Sequence, residues 1–286
     1  FRVDQAVDFK RKLDVAMNPK TKQPLSKATV DGILRGVKTF FRWLADQPGY
    51  RSRIKHSDVQ YFSINAKDAR TAHARREVHY PTIEQCRHAF SMMPEGTPID
   101  RRNKALFAFL MLTGARIGAL ASLRLKHVDV AACCVYQDAR EVKTKASKTF
   151  TTWFFPVDDT YADSLRSWVE FLVKDMLFGP QDALFPKSTV GVVDGAFAVT
   201  GLSRETYQGT TQLRDVIGNA FANAGLPRFH PHGFRKTLVA LANEVCKTPE
   251  EFKAWSQNLG HDSVITTVSA YLPVSPSRQR DLIRGE

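Results

Sequence analysis

The first quarter of the chain shows apolar residues at helical spacing among many basic ones. Residues 3–16 predict a first helix, with apolar positions at Val3, Ala6, Val7, Phe9 and Leu13. Ser26 is suited to cap the start of a second helix. That helix has one apolar face, made of Val30, Ile33, Leu34, Val37, Phe40, Phe41 and Leu44. Residues 57–62 predict a further short helix, so residues 1–65 are interpreted as a small all-α domain.

Residues 66–81 are polar and basic, lack an apolar period and end at Pro81. This pattern predicts an interdomain linker. A basic linker also suits a chain that wraps around a duplex and keeps contacting its backbone.

From Thr82 onward the pattern predicts helices around one short β region. Residues 100–112 are apolar almost all round, which is typical of a buried helix, and residues 117–127 are predicted to continue as another helix. Residues 135–157 favour β-structure on both sides of the lysine-rich stretch 143–148, which predicts a hairpin or small sheet. Residues 179–209 are predicted to be loop. Further helices are predicted at 82–93, 159–177, 211–224, 235–246 and 250–258.

The fold class is therefore mainly α with a small β-sheet, comprising an N-terminal helical domain and an α+β domain over residues 82–286.

Basic charge is concentrated at the N-terminal end of this 286-residue chain. The formal net charge is +12, and residues 1–82 contain 17 Lys and Arg against 8 Asp and Glu. An excess confined to one region favours a polyanionic partner, and we expect double-stranded DNA. The candidate DNA-contacting residues are Lys27, Arg35, Lys38 and Arg42 on the second helix, with Arg75 and Arg76 in the linker. For each of the helix residues alone, a merely solvated helix face is the alternative interpretation.

The four cysteines have neither CxxC spacing nor neighbouring histidines suited to zinc, which favours reduced thiols in a cytoplasmic protein. No apolar run approaches the length of a membrane span, so no membrane association is expected. Because the chain starts at Phe1 without Met, we expect it to be a fragment.

Five side chains have the chemistry that transesterification at a DNA phosphodiester needs. Arg116 and Arg235 can present paired donors to phosphate oxygens. His232, three residues before Arg235, can exchange a proton near neutral pH. A tyrosine phenol such as that of Tyr271 has a reference pKa of about 10, so it needs nearby cations and a base to become a nucleophile. A lysine of the 143–148 turn can protonate the leaving 5′ oxygen. Cationic side chains can replace a metal in this chemistry, so neither a metal nor another cofactor is expected.

The order of these residues resembles that of a tyrosine recombinase of the phage integrase family. The resemblance covers residues 83–286 and rests on three stretches: Thr113-Gly114-Ala115-Arg116, Pro231-His232-Gly233-Phe234-Arg235-Lys236-Thr237, and Leu259-Gly260-His261 followed by Tyr271. It implies that Arg116, Lys145, His232, Arg235 and His261 form the pocket and that Tyr271 is the nucleophile, with Lys143 as the rival to Lys145. The helical domain before them resembles the family's core-binding domain.

The resemblance also implies a function. The family forms a covalent 3′-phosphotyrosine, frees a 5′ hydroxyl and exchanges strands within a DNA-bound homotetramer, which predicts a site-specific recombinase of the integrase or transposase type. The expected location is the cytoplasm, in association with the nucleoid.

The chain departs from the family pattern at three points: Ala119 replaces an acidic residue, Gly233 and Phe234 replace Asp-Leu, and ten positions rather than nine separate His261 from Tyr271. A DNA-binding protein that does not cleave and a type IB topoisomerase are the alternative functions.

Overall fold

The computed structural model describes residues 1–74, 79–193, 195–261, 280, 283 and 284, with the side chain of Val193 excepted. The chain divides into two compact units, Phe1–Val78 and His79–Glu286. None of the helices in the described parts is long and apolar enough to cross a bilayer.

The N-terminal unit consists of helices packed around one small core. They are α1 (Val3–Asp14), α2 (Lys27–Ala45), α3 (His56–Val59) and α4 (Ala66–His73). The buried core residues are Ala6, Val30, Leu34, Ala45, Ile54, Val59 and Phe62.

Helix α2 begins as the sequence predicts, because the Ser26 hydroxyl accepts the N–H of Thr29 at 3.2 Å. Its buried side includes Val30 and Leu34. Phe40 differs from the prediction, because it is 52% exposed although the sequence assigns it to the apolar face.

Helix α4 corrects the predicted linker 66–81 over residues 66–73. The side chain of Asn65 accepts the N–H of Asp68 at 2.8 Å and caps the helix. The Asp68 carboxylate lies 3.3 Å from the Lys27 ammonium, which connects α4 to α2. No residue of α4 is buried, so a search for an apolar period cannot detect it.

The C-terminal unit is built around one buried helix. Its helices are α5 (Ile83–Ser91), α6 (Pro98–Thr113), α7 (Ile117–Leu120), α8 (Asp159–Lys174), α9 (Thr211–Asn223), α10 (His232–Val245) and α11 (Pro249–Asn258). Every residue from Ala105 to Thr113 is buried, as predicted for a helix that is apolar all round. Helix α8 packs against α6 through an amphipathic face of Tyr161, Leu165, Trp168 and Leu172.

A three-stranded antiparallel sheet lies beside these helices. Its strands are β1 (Val128–Asp129), β2 (Cys134–Gln137) and β3 (Phe150–Trp153), in the order β1-β2-β3. Strand β2 pairs with β3, and Val135 lies opposite Thr152. The lysine-rich stretch connects β2 to β3, which confirms the predicted small sheet.

A second sheet corrects the prediction of a loop over residues 179–209. Strands β4 (Ser188–Val193) and β5 (Ala196–Leu202) form an antiparallel hairpin. Asp194-Gly195 between two β-favouring runs is a hairpin signature that was available in the sequence. The runs themselves contain Thr189, Val190, Val192, Phe197, Val199 and Thr200.

The helix predicted over residues 117–127 is wrong in length. Helix α7 ends at Leu120, and a separate 3-10 turn covers Leu125–His127. Between them, the Leu123 carbonyl accepts the N–H of Leu184 at 3.1 Å. The N–H groups of Leu125 and Lys126 donate to the carbonyls of Asp182 and Pro180, so from Leu125 the backbone bonds to a distant segment and the helix does not continue. The predicted fold class, mainly α with a small sheet, is confirmed.

Candidate active site

Arg116 stands where the buried helix α6 ends and α7 begins. Gly114 ends α6 with φ of 55° and ψ of 25°, the left-handed region that favours glycine. Arg116 then adopts an extended backbone, with φ of −69° and ψ of 139°, as the residue that precedes α7. The Thr113 hydroxyl accepts the N–H of Ala115 at 3.1 Å within this turn. A tight turn at the end of a rigid core helix therefore sets the position of Arg116.

Gly114 is also where the first arginine stretch meets the second. A methyl group at this position would lie 2.8 Å from Leu259 Cδ2 and 3.0 Å from Leu238 Cδ1. Leu238 belongs to α10 and Leu259 follows α11, so both elements pack against the backbone of Gly114. A side chain at position 114 would separate them.

Arg235 is buried, with 3% of its surface exposed, and connects the three stretches. Its Nη1 donates to the Gly114 carbonyl at 2.6 Å, and its Nη2 donates to the Leu259 carbonyl at 2.6 Å. The same Nη2 lies 2.9 Å from His261 Nε2. These contacts hold the planar guanidinium in one orientation.

The Arg235 contact determines the protonation of His261. Arginine only donates hydrogen bonds, so Nε2 of His261 accepts and the imidazole is neutral with its proton on Nδ1. Burial lowers the pKa of His261 to about 4, and the nearby charges of Arg235, Arg116, Lys145 and His232 lower it as well. Four groups from three separate parts of the sequence therefore act on one imidazole.

His232 is the first residue of α10 and lies one helical turn before Arg235. Although part of the His232 side chain is exposed, the neighbouring protein atoms desolvate its imidazole and lower its pKa. The positive charges of Arg235, Lys236 and Arg116 lower that pKa further. Its imidazole is therefore neutral at pH 7 and able to accept a proton. Lys236 is a neighbouring charge that sequence reasoning left out, although it directly follows the second arginine.

The small sheet is fixed beside His261 through the end of α11. The side-chain amide of Asn258 accepts the N–H of Trp153 and donates to the Trp153 carbonyl, both at 2.8 Å. Gly260, with φ of 71°, packs so closely that a methyl group there would lie 2.7 Å from the ring of Phe150. Asn258 thus links β3 to the His261 stretch, and no motif in the sequence marks it.

Lys145 lies in the segment between β2 and β3, at residues 138–149, which we call the lysine segment. Lys143 and Lys145 are both exposed. Lys145 is the one whose charge acts on His261, which favours it over Lys143. The Lys143 backbone instead contacts the first arginine stretch, because its N–H donates to Ser122 Oγ at 2.9 Å.

The structure therefore brings together Arg116, Lys145, His232, Arg235 and His261. Tyr271, the predicted nucleophile, lies outside the described residues, as do Arg75 and Arg76. In the described ranges, we find no group of three or more His, Cys, Asp or Glu side chains placed to hold a metal ion.

The predicted DNA-contacting cations of α2 differ in their surroundings. Lys27 lies 2.8 Å from the Asp14 carboxylate, and Lys38 donates to Ser63 Oγ at 2.7 Å. Arg35 pairs with Asp31 one helical turn earlier, a spacing that was visible in the sequence. Arg42 is exposed near the end of the helix. The structure thus gives three of the four an intramolecular partner.

Residues 80–278 match the family model described as "Phage integrase family". The chain belongs to the phage integrase family. The match includes all three stretches that form the pocket, so the predicted resemblance is confirmed.

Curated relatives lead to the same family. Tyrosine recombinase XerC of Corynebacterium efficiens is 26% identical over 184 residues, which cover 64% of this chain and 50% of that protein. Tyrosine recombinase XerC of Mycobacterium leprae is 28% identical over 187 residues, which cover 65% of this chain and 54% of that protein. The integrase-family chain thus spans about half the length of these curated relatives.

A solved structure shares the fold. XerH site-specific recombinase, in a post-cleavage complex with a palindromic difH substrate, superposes with a TM-score of 0.66 at 16% identity. The likeness covers 97% of this chain and 71% of that one.

Proposed function

We propose that this chain is a site-specific DNA recombinase that cleaves and rejoins strands through a covalent 3′-phosphotyrosine at Tyr271. One observation carries the proposal: the charges of Arg116, Lys145 and Arg235 all act on His261, although the sequence separates them widely. Such a cluster of cations is unfavourable by itself and is stabilised by an anion. A phosphodiester supplies that anion.

The two arginines provide the electrostatic part of the reaction. Arg235 is held in one orientation by backbone carbonyls, and Arg116 is set by the turn after α6. Guanidinium groups fixed in this way bind the non-bridging oxygens and stabilise the charge that grows on them in the transition state.

The remaining groups move protons. The Tyr271 oxygen attacks phosphorus while its proton passes to the neutral imidazole of His232. A bond forms between the tyrosine oxygen and phosphorus as the bond from phosphorus to the 5′ oxygen breaks. Lys145 gives its proton to that 5′ oxygen, which leaves as a hydroxyl. Rejoining reverses these transfers, so no external energy source is needed.

Double-stranded DNA is the proposed partner. The XerH relative is described with DNA, which supports this. Arg42 is an exposed cation of α2, and with Arg75 and Arg76 it is proposed to contact the phosphate backbone. Exchanging both strands of two duplexes requires four cleavages, so we propose a homotetramer during synapsis. Such a protein would work in the cytoplasm, associated with the nucleoid.

The test uses duplexes selected from a randomised library by binding to the protein. A nick close to the cleavage point lets the short 5′-hydroxyl fragment diffuse away and traps the covalent adduct. We expect an adduct with the native chain and none with Tyr271→Phe. An adduct that survives in Tyr271→Phe would refute the assigned nucleophile.

Two other results would replace the proposal. Tight sequence-specific binding without any adduct would indicate a DNA-binding protein that does not cleave. Relaxation of supercoiled plasmid without preference for a site would indicate a type IB topoisomerase.

A further inference from the structure

The lysine segment contains few local features that fix the position of Lys145. Lys143, Lys145, Ala146 and Ser147 are all exposed. Ala146 has φ of 57° and Ser147 has φ of 50°, values that residues with a Cβ adopt at a cost. The backbone at Ala146 and Ser147 thus does little to fix the position of Lys145.

Three contacts with the rest of the unit precede Lys145. The Glu141 carboxylate lies 2.7 Å from Lys126 Nζ and 2.9 Å from His127 Nε2. The Val142 side chain is 2% exposed and packs into the main core. One residue later, the N–H of Lys143 donates to Ser122 Oγ at 2.9 Å. The segment is therefore attached two to four residues before the lysine, and Ser122 supplies the polar contact nearest to Lys145.

Ser122 forms this contact from a buried position, with 7% of its surface exposed. Its hydroxyl donates to the Ala119 carbonyl at 2.9 Å. A hydroxyl has one proton and two lone pairs, so the same oxygen can accept the N–H of Lys143. A continuous chain of hydrogen bonds thus runs from the α7 backbone through Ser122 to the lysine segment.

We call Arg116 and Arg235, with the backbone that positions them, the arginine wall, and Ser122 connects the lysine segment to it. Ser122 follows Arg116 by six residues, and the intervening helix is α7. A methyl group on Gly118 would lie 3.7 Å from the Lys143 carbonyl, so the two backbones are close neighbours here. The side chain of Ala119 is a methyl group and cannot form a hydrogen bond, so its carbonyl is the group that holds Ser122.

We propose that Ser122 is a positioning residue that holds the lysine segment against the Arg116 stretch, so that Lys145 reaches the leaving 5′ oxygen. The inference rests on the proposed function for the role of Lys145. The tether itself is a property of the protein without DNA, and it can be measured separately.

The first measurement is hydrogen exchange of the Lys143 amide in the protein alone, followed by NMR. Ser122→Ala removes the acceptor, and we expect exchange at this amide to accelerate by about tenfold or more. The matched control is Ser91→Ala, which removes a hydroxyl that donates to the His88 carbonyl at 2.8 Å on α5. An unchanged Lys143 exchange rate in Ser122→Ala would overturn the proposal.

The second measurement compares leaving groups on a library-selected suicide duplex. One duplex has the normal 5′ oxygen at the cleaved bond, and the other has sulfur in its place. A thiolate leaves without being protonated, so a sulfur substrate does not need the lysine. We expect Ser122→Ala to cleave the oxygen substrate at least about tenfold more slowly than the native chain, and the sulfur substrate at close to the native rate.

Equal losses on both substrates would contradict the positioning role, because they would indicate damage to the arginine wall. If the native chain cleaves neither substrate, the proposed function fails, while the exchange rate of Lys143 still decides whether Ser122 holds the segment.

Discussion

The arginine wall and the lysine segment meet at one site but are held in opposite ways. Arg235 is 3% exposed, and its guanidinium contacts two carbonyls and an imidazole. Lys145 is exposed on a segment whose backbone is left-handed at the next two residues. The wall is thus part of the core, whereas the lysine is attached to it from outside.

This difference corresponds to two parts of the proposed reaction. Charge on a phosphate is stabilised best by donors that are already oriented, because no reorganisation is then needed during the reaction. A proton donor must instead reach one oxygen as it leaves. Lys145 and the two residues after it are exposed, which allows that movement. The contact with Ser122 would limit the range over which Lys145 moves.

The largest effect is expected from Arg235→Lys. An ammonium group has its donors on one nitrogen and cannot reproduce the fork that contacts Gly114, Leu259 and His261. We expect cleavage to fall by roughly two to three orders of magnitude, while non-specific DNA binding changes little. Single-turnover cleavage and filter binding measure the two quantities. The control is Arg214→Lys on the exposed side of α9. Equal loss of binding and cleavage would contradict the assigned role.

The next largest effect is expected from Gly114→Ala, which disturbs the backbone that positions the arginine wall. The new methyl group would meet Leu259 at 2.8 Å, and φ of 55° is unfavourable for alanine. We expect the free energy of unfolding in urea to fall by roughly 3 kcal/mol. The control is Gly49→Ala, where φ is 83° but no atom lies within 4 Å of the new carbon, so a smaller loss is expected. Equal losses would show that packing at Gly114 is unimportant.

A smaller effect concerns pH and the neutral His261. Its pKa is about 4 in the folded chain, whereas an unfolded imidazole has a pKa of about 6.5. Between these values the unfolded chain binds a proton that the folded chain does not, so stability falls as the pH drops. We expect this group to contribute a loss on the order of 2 kcal/mol between pH 7 and pH 5. Urea unfolding of the native chain and of His261→Gln measures this loss, and we expect the free energy of unfolding to depend less on pH in the variant. Parallel curves would contradict a neutral His261 in the folded chain.

The smallest effect is expected from Ala146→Gly, the reverse substitution in the lysine segment. Here φ of 57° is held by a residue with a Cβ, and glycine adopts this conformation without strain. We expect the free energy of unfolding to rise by no more than about 1 kcal/mol. Gly114 and Ala146 share the left-handed backbone conformation. The two variants therefore compare a substitution at that conformation inside the core with one outside the core. A loss above that size would indicate that Ala146 is packed.

The sequence predicted those parts of the molecule that have a local cause. Buried helix α6 follows from its continuous apolar residues, and the cap at Ser26 is formed as expected. The ordered arginine and histidine stretches identified the pocket, although Arg116 and Arg235 are far apart in the chain. The left-handed turn at Gly114 explains why a glycine stands two residues before Arg116.

Other features depend on partners that are distant in the sequence. Helix α4 buries no residue and is connected to α2 by ion pairs, so it has no apolar period. The stretch after α7 bonds to residues near Leu184, which shortens the predicted helix. The pairing of Asn258 with Trp153 and the contact of Ser122 with Lys143 likewise require the folded chain. The β4–β5 hairpin is different, because the Asp194-Gly195 signature was present in the sequence and was outweighed by the polar composition around it.

The central claim is that the arginine wall acts on the phosphate while Lys145 acts on the leaving oxygen. Its most direct test is the cleavage of matched duplexes with oxygen or sulfur at the 5′ leaving position by Lys145→Ala and Arg235→Lys, with Lys143→Ala as the control. We predict that sulfur restores Lys145→Ala to near the native rate, leaves Arg235→Lys slow and makes little difference to Lys143→Ala. Restoration of Arg235→Lys by sulfur, or of Lys143→Ala in place of Lys145→Ala, would contradict this division of roles.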